Sequence, residues 1–150
     1  MSVDDPQSAA ENSYTFVLVH GGCHDGSLWQ PVIERLEQLG HTAYGPTVAG
    51  HGKDVPKNVT HAESTQSIVD FIVDRDLTDF VLVGHGYAGT IISKVVGTAD
   101  MVMPPGDSGW HPRMSCRLGK FRLVQMSGSH EAVFTNPIGL ADKFIEAGRD

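Results

Sequence analysis

Hydrophobic and polar positions alternate along the chain in blocks that read as strands and helices in turn. Residues 14–20 (YTFVLVH) form a near-continuous apolar run, the pattern of a strand covered by helices on both faces. A glycine-rich loop over 21–27 follows. In 28–39 the apolar residues Leu28, Val32, Leu36 and Leu39 recur every three or four positions, predicting a helix, and Gly40 stands where its C-terminal cap belongs. Residues 41–44 are a short strand candidate, and 45–58, rich in Gly and Pro, read as loop. Thr60 with Glu63 fits a capping box at the head of a helix that carries Ile68, Phe71 and Ile72 on one face. Residues 79–83 (DFVLV) read as a buried strand and 90–96 as a helix. From 97 to 118 the pattern dissolves into Gly, Pro and polar residues around an isolated Trp110. It returns as a strand candidate at 121–126 (FRLVQM), a loop over 127–135 and a closing amphipathic helix over 137–147. Strands alternating with helices imply a parallel sheet with right-handed crossovers, hence an α/β fold. There is no internal repeat and no low-complexity segment.

The joints between strands and helices hold the candidate chemistry. Between strand 79–83 and the next helix lies Gly84-His85-Gly86-Tyr87-Ala88-Gly89. Strand, tight glycine turn and helix are the setting of a nucleophile elbow, G-x-S-x-G, but Gly86 stands at the serine position. The same letters also satisfy G-x-G-x-x-G, a dinucleotide-binding fingerprint. That fingerprint further asks for an acidic residue about 20 positions on, at the end of a second strand. It also has to begin the fold, whereas here two strand–helix units precede it. His85 is expected to point away from the elbow as a structural histidine.

His20-Gly21-Gly22-Cys23-His24 sits directly after the first strand. It reads either as a loop aiming backbone N–H groups at a developing oxyanion or as an ordinary glycine-rich turn. Cys23 is expected to be a small buried residue, since no motif activates it. Gly128-Ser129-His130 follows the last strand, so His130 reaches the same edge of the sheet, where it is a candidate general base. Asp100 lies between elbow and histidine, where an orienting acid belongs, with Asp107 and Glu131 as rivals. His24, His41, His51, His61 and His111 form no i, i+4 pair and no H-x-H, so no metal site is expected.

Composition narrows the function classes. The 150 residues, 40% of them hydrophobic, suit a single domain over 14–150, behind a polar tail over 1–13 that is expected to be disordered. Lys and Arg number 11 against 18 Asp and Glu, a net charge of −7, which argues against nucleic acid and anionic membrane as partners. No run approaches the roughly 20 apolar residues of a membrane span. Residues 1–12 lack the order of a signal peptide, and the two cysteines, Cys23 and Cys116, have neither metal-ligand nor disulfide-scaffold spacing. A cytoplasmic protein is the expectation.

Taken together, the pieces resemble the α/β-hydrolase superfamily, in its branch of small esterases such as methylesterases and hydroxynitrile lyases. Residues 16–24 with Trp29 are similar to that branch's first strand and oxyanion loop. Residues 81–89 are similar to its elbow, Thr98-Ala99-Asp100 to its acid turn, and Gly128-Ser129-His130 with Asn136-Pro137 to its histidine turn. The resemblance implies oxyanion N–H groups from Gly22 and Tyr87, His130 as base, Asp100 as its orienter and Gly86 at the nucleophile position. It implies no cofactor and a small-molecule ester or related ligand as substrate. Val96 runs almost straight into the acid turn, where the family places two further strands and a helical cap. The expected architecture is therefore a three-layer sandwich around a reduced parallel sheet of about four strands, without the cap. An open sheet edge beside strand 79–83 then gives an expected tendency to self-associate.

Three functions follow from these features. One is a carboxylic-ester hydrolase by resemblance, truncated and with its nucleophile lost, so that weak or no hydrolysis is expected of such a pseudoenzyme. A second is a non-catalytic small-molecule-binding or interaction protein on the same scaffold. The third is a dinucleotide-binding domain built on the glycines at 84–89.

Overall fold

A computed structural model describes residues 13–95 and 129–149 of the chain. Within them lie three strands, β1 (Thr15–Val19), β2 (Thr42–Tyr44) and β3 (Phe80–Gly84), all parallel and in the order β2-β1-β3. The candidate fourth strand at 121–126 lies outside the described residues, as do Asp100, Asp107 and the tail over 1–12. β1 is central. Phe16 pairs with Ala43 on one side and Val81 on the other, and the β1·β3 register runs from Thr15 opposite Phe80 to Val19 opposite Gly84.

The side chains of β1 alternate between two cores, as the pleat requires. Phe16 and Leu18 point to one face, where they meet Leu28, Trp29, Val32 and Leu36 together with Val133, Ala141 and Ile145. Those residues belong to a 3₁₀ turn (Gly26–Trp29) and to the helices α1 (Gln30–Gln38), α4 (Ala132–Thr135) and α5 (Pro137–Gly148). Val17 and Val19 point to the other face and meet Val48, Ile68, Ala88 and Ile91. Ile68 comes from α2 (His61–Asp74), and Ala88 and Ile91 from α3 (Ala88–Val95). The result is the helix–sheet–helix sandwich that the unbroken apolar run of β1 announces.

Local chemistry sets the ends of these elements. The helix expected at 28–39 opens instead as the 3₁₀ turn, because the Asp25 side chain accepts the Ser27 N–H and Pro31 fills the first turn of α1. α1 ends at Gly40, whose φ of +86° lets the His41 N–H reach Leu36 O and the Gly40 N–H reach Glu37 O, both at 3.0 Å. α2 starts with the expected capping box: the Glu63 N–H donates to Thr60 Oγ1, and the Thr60 N–H donates back to the Glu63 carboxylate. Asn136 caps α5 by accepting the Gly139 N–H. No described helix is long and apolar enough to cross a membrane.

Candidate functional site

Among the described residues, the turn after β1, the turn after β3 and the histidine turn meet at the carboxyl ends of β1 and β3. β3 runs into the 84–89 turn, where the His85 N–H still donates to Val19 O at 3.0 Å and so extends the ladder by one residue. The chain then reverses at Gly86 with φ +58°, the left-handed conformation that side chains resist. Gly89 donates to Gly86 O and Thr90 to Tyr87 O, which starts α3.

Packing decides which glycines this turn needs. A Cβ on Gly84 would stand 2.8 Å from Ile92 Cδ1 and 3.1 Å from the Ala88 carbonyl, so strand and helix require small residues at 84 and 88. A Cβ on Gly89 would meet nothing within 4 Å. The third glycine of a dinucleotide fingerprint exists to let helix and strand pack closely. Here that place is open, and the close approach falls at 84 and 88, the two small positions of an elbow.

His130 comes to the elbow from the far end of the sequence. Ser129 opens a turn in which its carbonyl accepts the Ala132 N–H and its hydroxyl the Glu131 N–H. The His130 ring stacks on His85 with centroids 4.2 Å apart and planes 20° apart. A Cβ built on Gly86 would lie 3.1 Å from both Cε1 and Nε2 of His130. His85 therefore does not point away from the site. Its Nε2 donates to the His130 carbonyl at 2.9 Å, pinning the histidine turn to the elbow, and its Nδ1 is left buried without a partner among the described residues.

Opposite the elbow, the 20–25 loop supplies the second wall. His20 is buried; its Nε2 accepts the Val48 N–H at 2.9 Å, so its Nδ1 carries the proton and donates to Gly21 O at 2.8 Å. Burial holds its pKa below the ordinary imidazole value. Gly21 O also accepts the His24 N–H, and that tight turn puts Gly22 and Cys23 at the surface. Cys23 is exposed, contrary to the buried place expected of it, because the loop turns outward at the sheet edge. Gly22 packs against Tyr87, its Cβ position 3.4 Å from Tyr87 Cβ. Among the described residues, neither the Gly22 nor the Tyr87 N–H donates a hydrogen bond.

Other residues around the site show no spacing signal in the sequence. His61 Nε2 donates to Thr90 Oγ1 at 2.9 Å, whose own proton goes to Tyr87 O, so α2 buttresses the elbow. The 45–58 loop folds over His20, with His51 edge-on to that ring at 5.2 Å and tilted towards Tyr87 at 6.0 Å. An open cleft of about 390 Å³ runs between this loop and the 22–25 turn. His85, His130 and Glu131 also offer ligand atoms within 4.8 Å of one another. The two rings are stacked, so their in-plane lone pairs run side by side instead of converging as tetrahedral coordination asks.

Comparison with known proteins agrees with this geometry. Residues 16–146 match the Alpha/beta hydrolase family. The chain is 35% identical over 92 residues to the carbendazim hydrolyzing esterase of Nocardioides sp. (strain SG-4G), a match covering 59% of this chain and 37% of that protein. It is 32% identical over 79 residues to Methylesterase 2 of Arabidopsis thaliana, covering 49% of this chain and 30% of that one. The chain thus spans about a third of the length of the curated relatives it matches. Among solved structures it superposes with a TM-score of 0.80 at 24% identity on an extracellular alpha/beta-hydrolase from a Paenibacillus species, covering 91% of this chain and 100% of that one. With an elbow turn, a histidine turn docked on it and a family match over nearly its whole length, this chain belongs to the alpha/beta hydrolase family.

Proposed function

We propose that the chain is a carboxylic-ester hydrolase scaffold that holds the elements of acyl transfer around a position emptied of its nucleophile. Gly22 and Tyr87 supply two N–H groups to a tetrahedral oxyanion, His130 is the general base, Asp100 is its orienting acid, and Gly86 stands where a serine would attack. The observation that carries this reading is the meeting of three features at one point. They are the left-handed backbone of Gly86, the His130 ring 3.1 Å from its Cβ position, and two neighbouring N–H groups without a partner among the described residues. Without a hydroxyl at residue 86 no acyl-enzyme forms, and what remains is polarisation and binding, worth roughly 10³–10⁴ over water in triads stripped of one member. Ester-hydrolysing relatives support the substrate class.

The test is hydrolysis of a p-nitrophenyl ester by this chain and by its Gly86→Ser variant. The chain as it stands gives no acyl-enzyme burst and at most the slow residual rate of a site without its nucleophile. Serine restores the nucleophile and raises the rate by about 10²-fold or more, provided the His130 imidazole withdraws by a few tenths of an ångström to admit the Cβ. The same substitution costs about 1–2 kcal/mol of stability, because serine then occupies a left-handed conformation. A Gly86→Ser chain that folds, by circular dichroism, yet stays at background removes the assignment. So does brisk hydrolysis by the present chain that His130→Ala leaves unchanged.

A further inference from the structure

The cleft beside the elbow is cationic in an acidic protein. Its walls include Gly22, His24 and Asp25 on one side and His51, Lys53 and Lys57 on the other. The chain as a whole carries a net charge of −7, so two lysines around one hollow are not a by-product of a basic surface. Lys53 makes no ion pair or hydrogen bond among the described residues. Lys57 donates to Gly52 O at 2.5 Å, which brings its charge back across the loop to the cleft mouth. Among the described residues Asp25 is the one carboxylate in the lining; the hydroxyl and N–H of Ser27 both donate to its Oδ1 and hold its pKa below the usual carboxylate value, so it stays charged and the two lysines outnumber it.

The loop that presents these cations is built rather than loose. Gly50 and Gly52 take φ of +86° and +98°, turning the chain sharply on either side of His51. The root of the loop is held by the buried His20–Val48 hydrogen bond and by Ser64 and Ser67, which bond the Ala49 carbonyl and N–H. Gly22 belongs to both structures: it lines the cleft and carries one of the two N–H groups beside the elbow that have no partner among the described residues. A carbonyl held there would send one of its substituents into the cationic hollow.

We infer that this cleft receives a carboxylate, so that the ligand class is an ester bearing a second, ionised carboxyl group a few bonds from the ester carbonyl. The inference deepens the hydrolase reading and rests on it for the ester half of the ligand. Monomethyl succinate is the probe, with dimethyl succinate as its neutral counterpart and inorganic phosphate as a plain anion, titrated into the full chain and followed by NMR amide shifts. Monomethyl succinate shifts the Gly22 and His51 amides and binds more tightly than the diester. Its affinity drops as salt rises from about 20 to about 200 mM, since screening shortens the reach of the lysine charges. Lys53→Gln and Lys57→Gln each weaken it by about threefold and together by about tenfold, while diester binding stays unchanged. Equal binding of the two esters, no binding of either, or a double variant that binds as before overturns the inference. Phosphate binding as tightly as the monoester reduces the cleft to a general anion site and overturns the ligand class. Because binding is read without turnover, a Gly86→Ser chain that folds and binds monomethyl succinate but hydrolyses no ester sinks the hydrolase reading alone.

Discussion

His20 and His41 are both held neutral by the fold, and both therefore make stability depend on pH. Burial lowers the His20 pKa, and burial followed by the nearby Arg149 charge lowers that of His41. His20 Nε2 accepts from the Val48 N–H and His41 Nδ1 accepts from the Tyr14 N–H, so protonating either ring removes an acceptor. As pH falls, the unfolded chain takes up these protons first. The stabilisation is full above the ordinary imidazole value of 6.5 and is lost as pH drops from there towards the lowered folded values. His20→Leu strands the buried Val48 N–H and costs about 1–3 kcal/mol at neutral pH. It also flattens the decline in stability below pH of about 6.5. Urea unfolding of both proteins at a series of pH values checks both effects. None of this was legible in the sequence, where His20 reads as the joint between the first strand and its glycine-rich loop: its role depends on Val48, which chain topology brings across from another loop.

At the scale of elements, legibility followed whether the deciding contact is local. Thr60 and Glu63 are three residues apart, and their reciprocal bonds are visible as a sequence pattern. Thr60→Ala removes the cap and costs about 0.5–2 kcal/mol, measurable as a lower urea midpoint with an unchanged m-value. Hydrogen bonds from the Thr60 backbone and hydroxyl lower the Glu63 pKa, so the cap's contribution is present above the ordinary glutamate value and fades as pH falls through the folded one. The end of α2 was not legible. It uses the same closing bonds as α1, from Asp76 to Val73 O and from Leu77 to Ile72 O, but with Asp76 at φ +54° in place of a glycine. The outward turn of Cys23 and the docking of His85 on His130 were missed for a related reason. Each is set by backbone partners outside its own motif.

Across the whole molecule, the alternating apolar blocks announced the parallel sheet and its two helical layers, because a strand buried on both faces leaves little else for the chain to do. The way the sequence's two ends close on each other was less visible. α5 packs on α1 through Leu36, Ala141 and Ile145, and an exposed pair, Arg35 Nε and Asp142 Oδ1 at 3.4 Å, spans the same seam. The apolar part carries that closure. Ile145→Ala costs about 2–5 kcal/mol in thermal or urea unfolding, whereas Asp142→Ala changes stability by less than about 1 kcal/mol. A loosened seam also frees the turn that sets His130 over Gly86, so Ile145→Ala lowers whatever turnover the Gly86→Ser variant gains.

Trp29 stands at that junction, almost fully buried, its indole edge-on to the His85 ring at 6.2 Å and tilted towards Phe144 at 6.0 Å. Indole emission responds to what packs against the ring. With Trp110 replaced by Phe, the fluorescence of the remaining tryptophan becomes an optical gauge of the docking of His85, readable without any substrate.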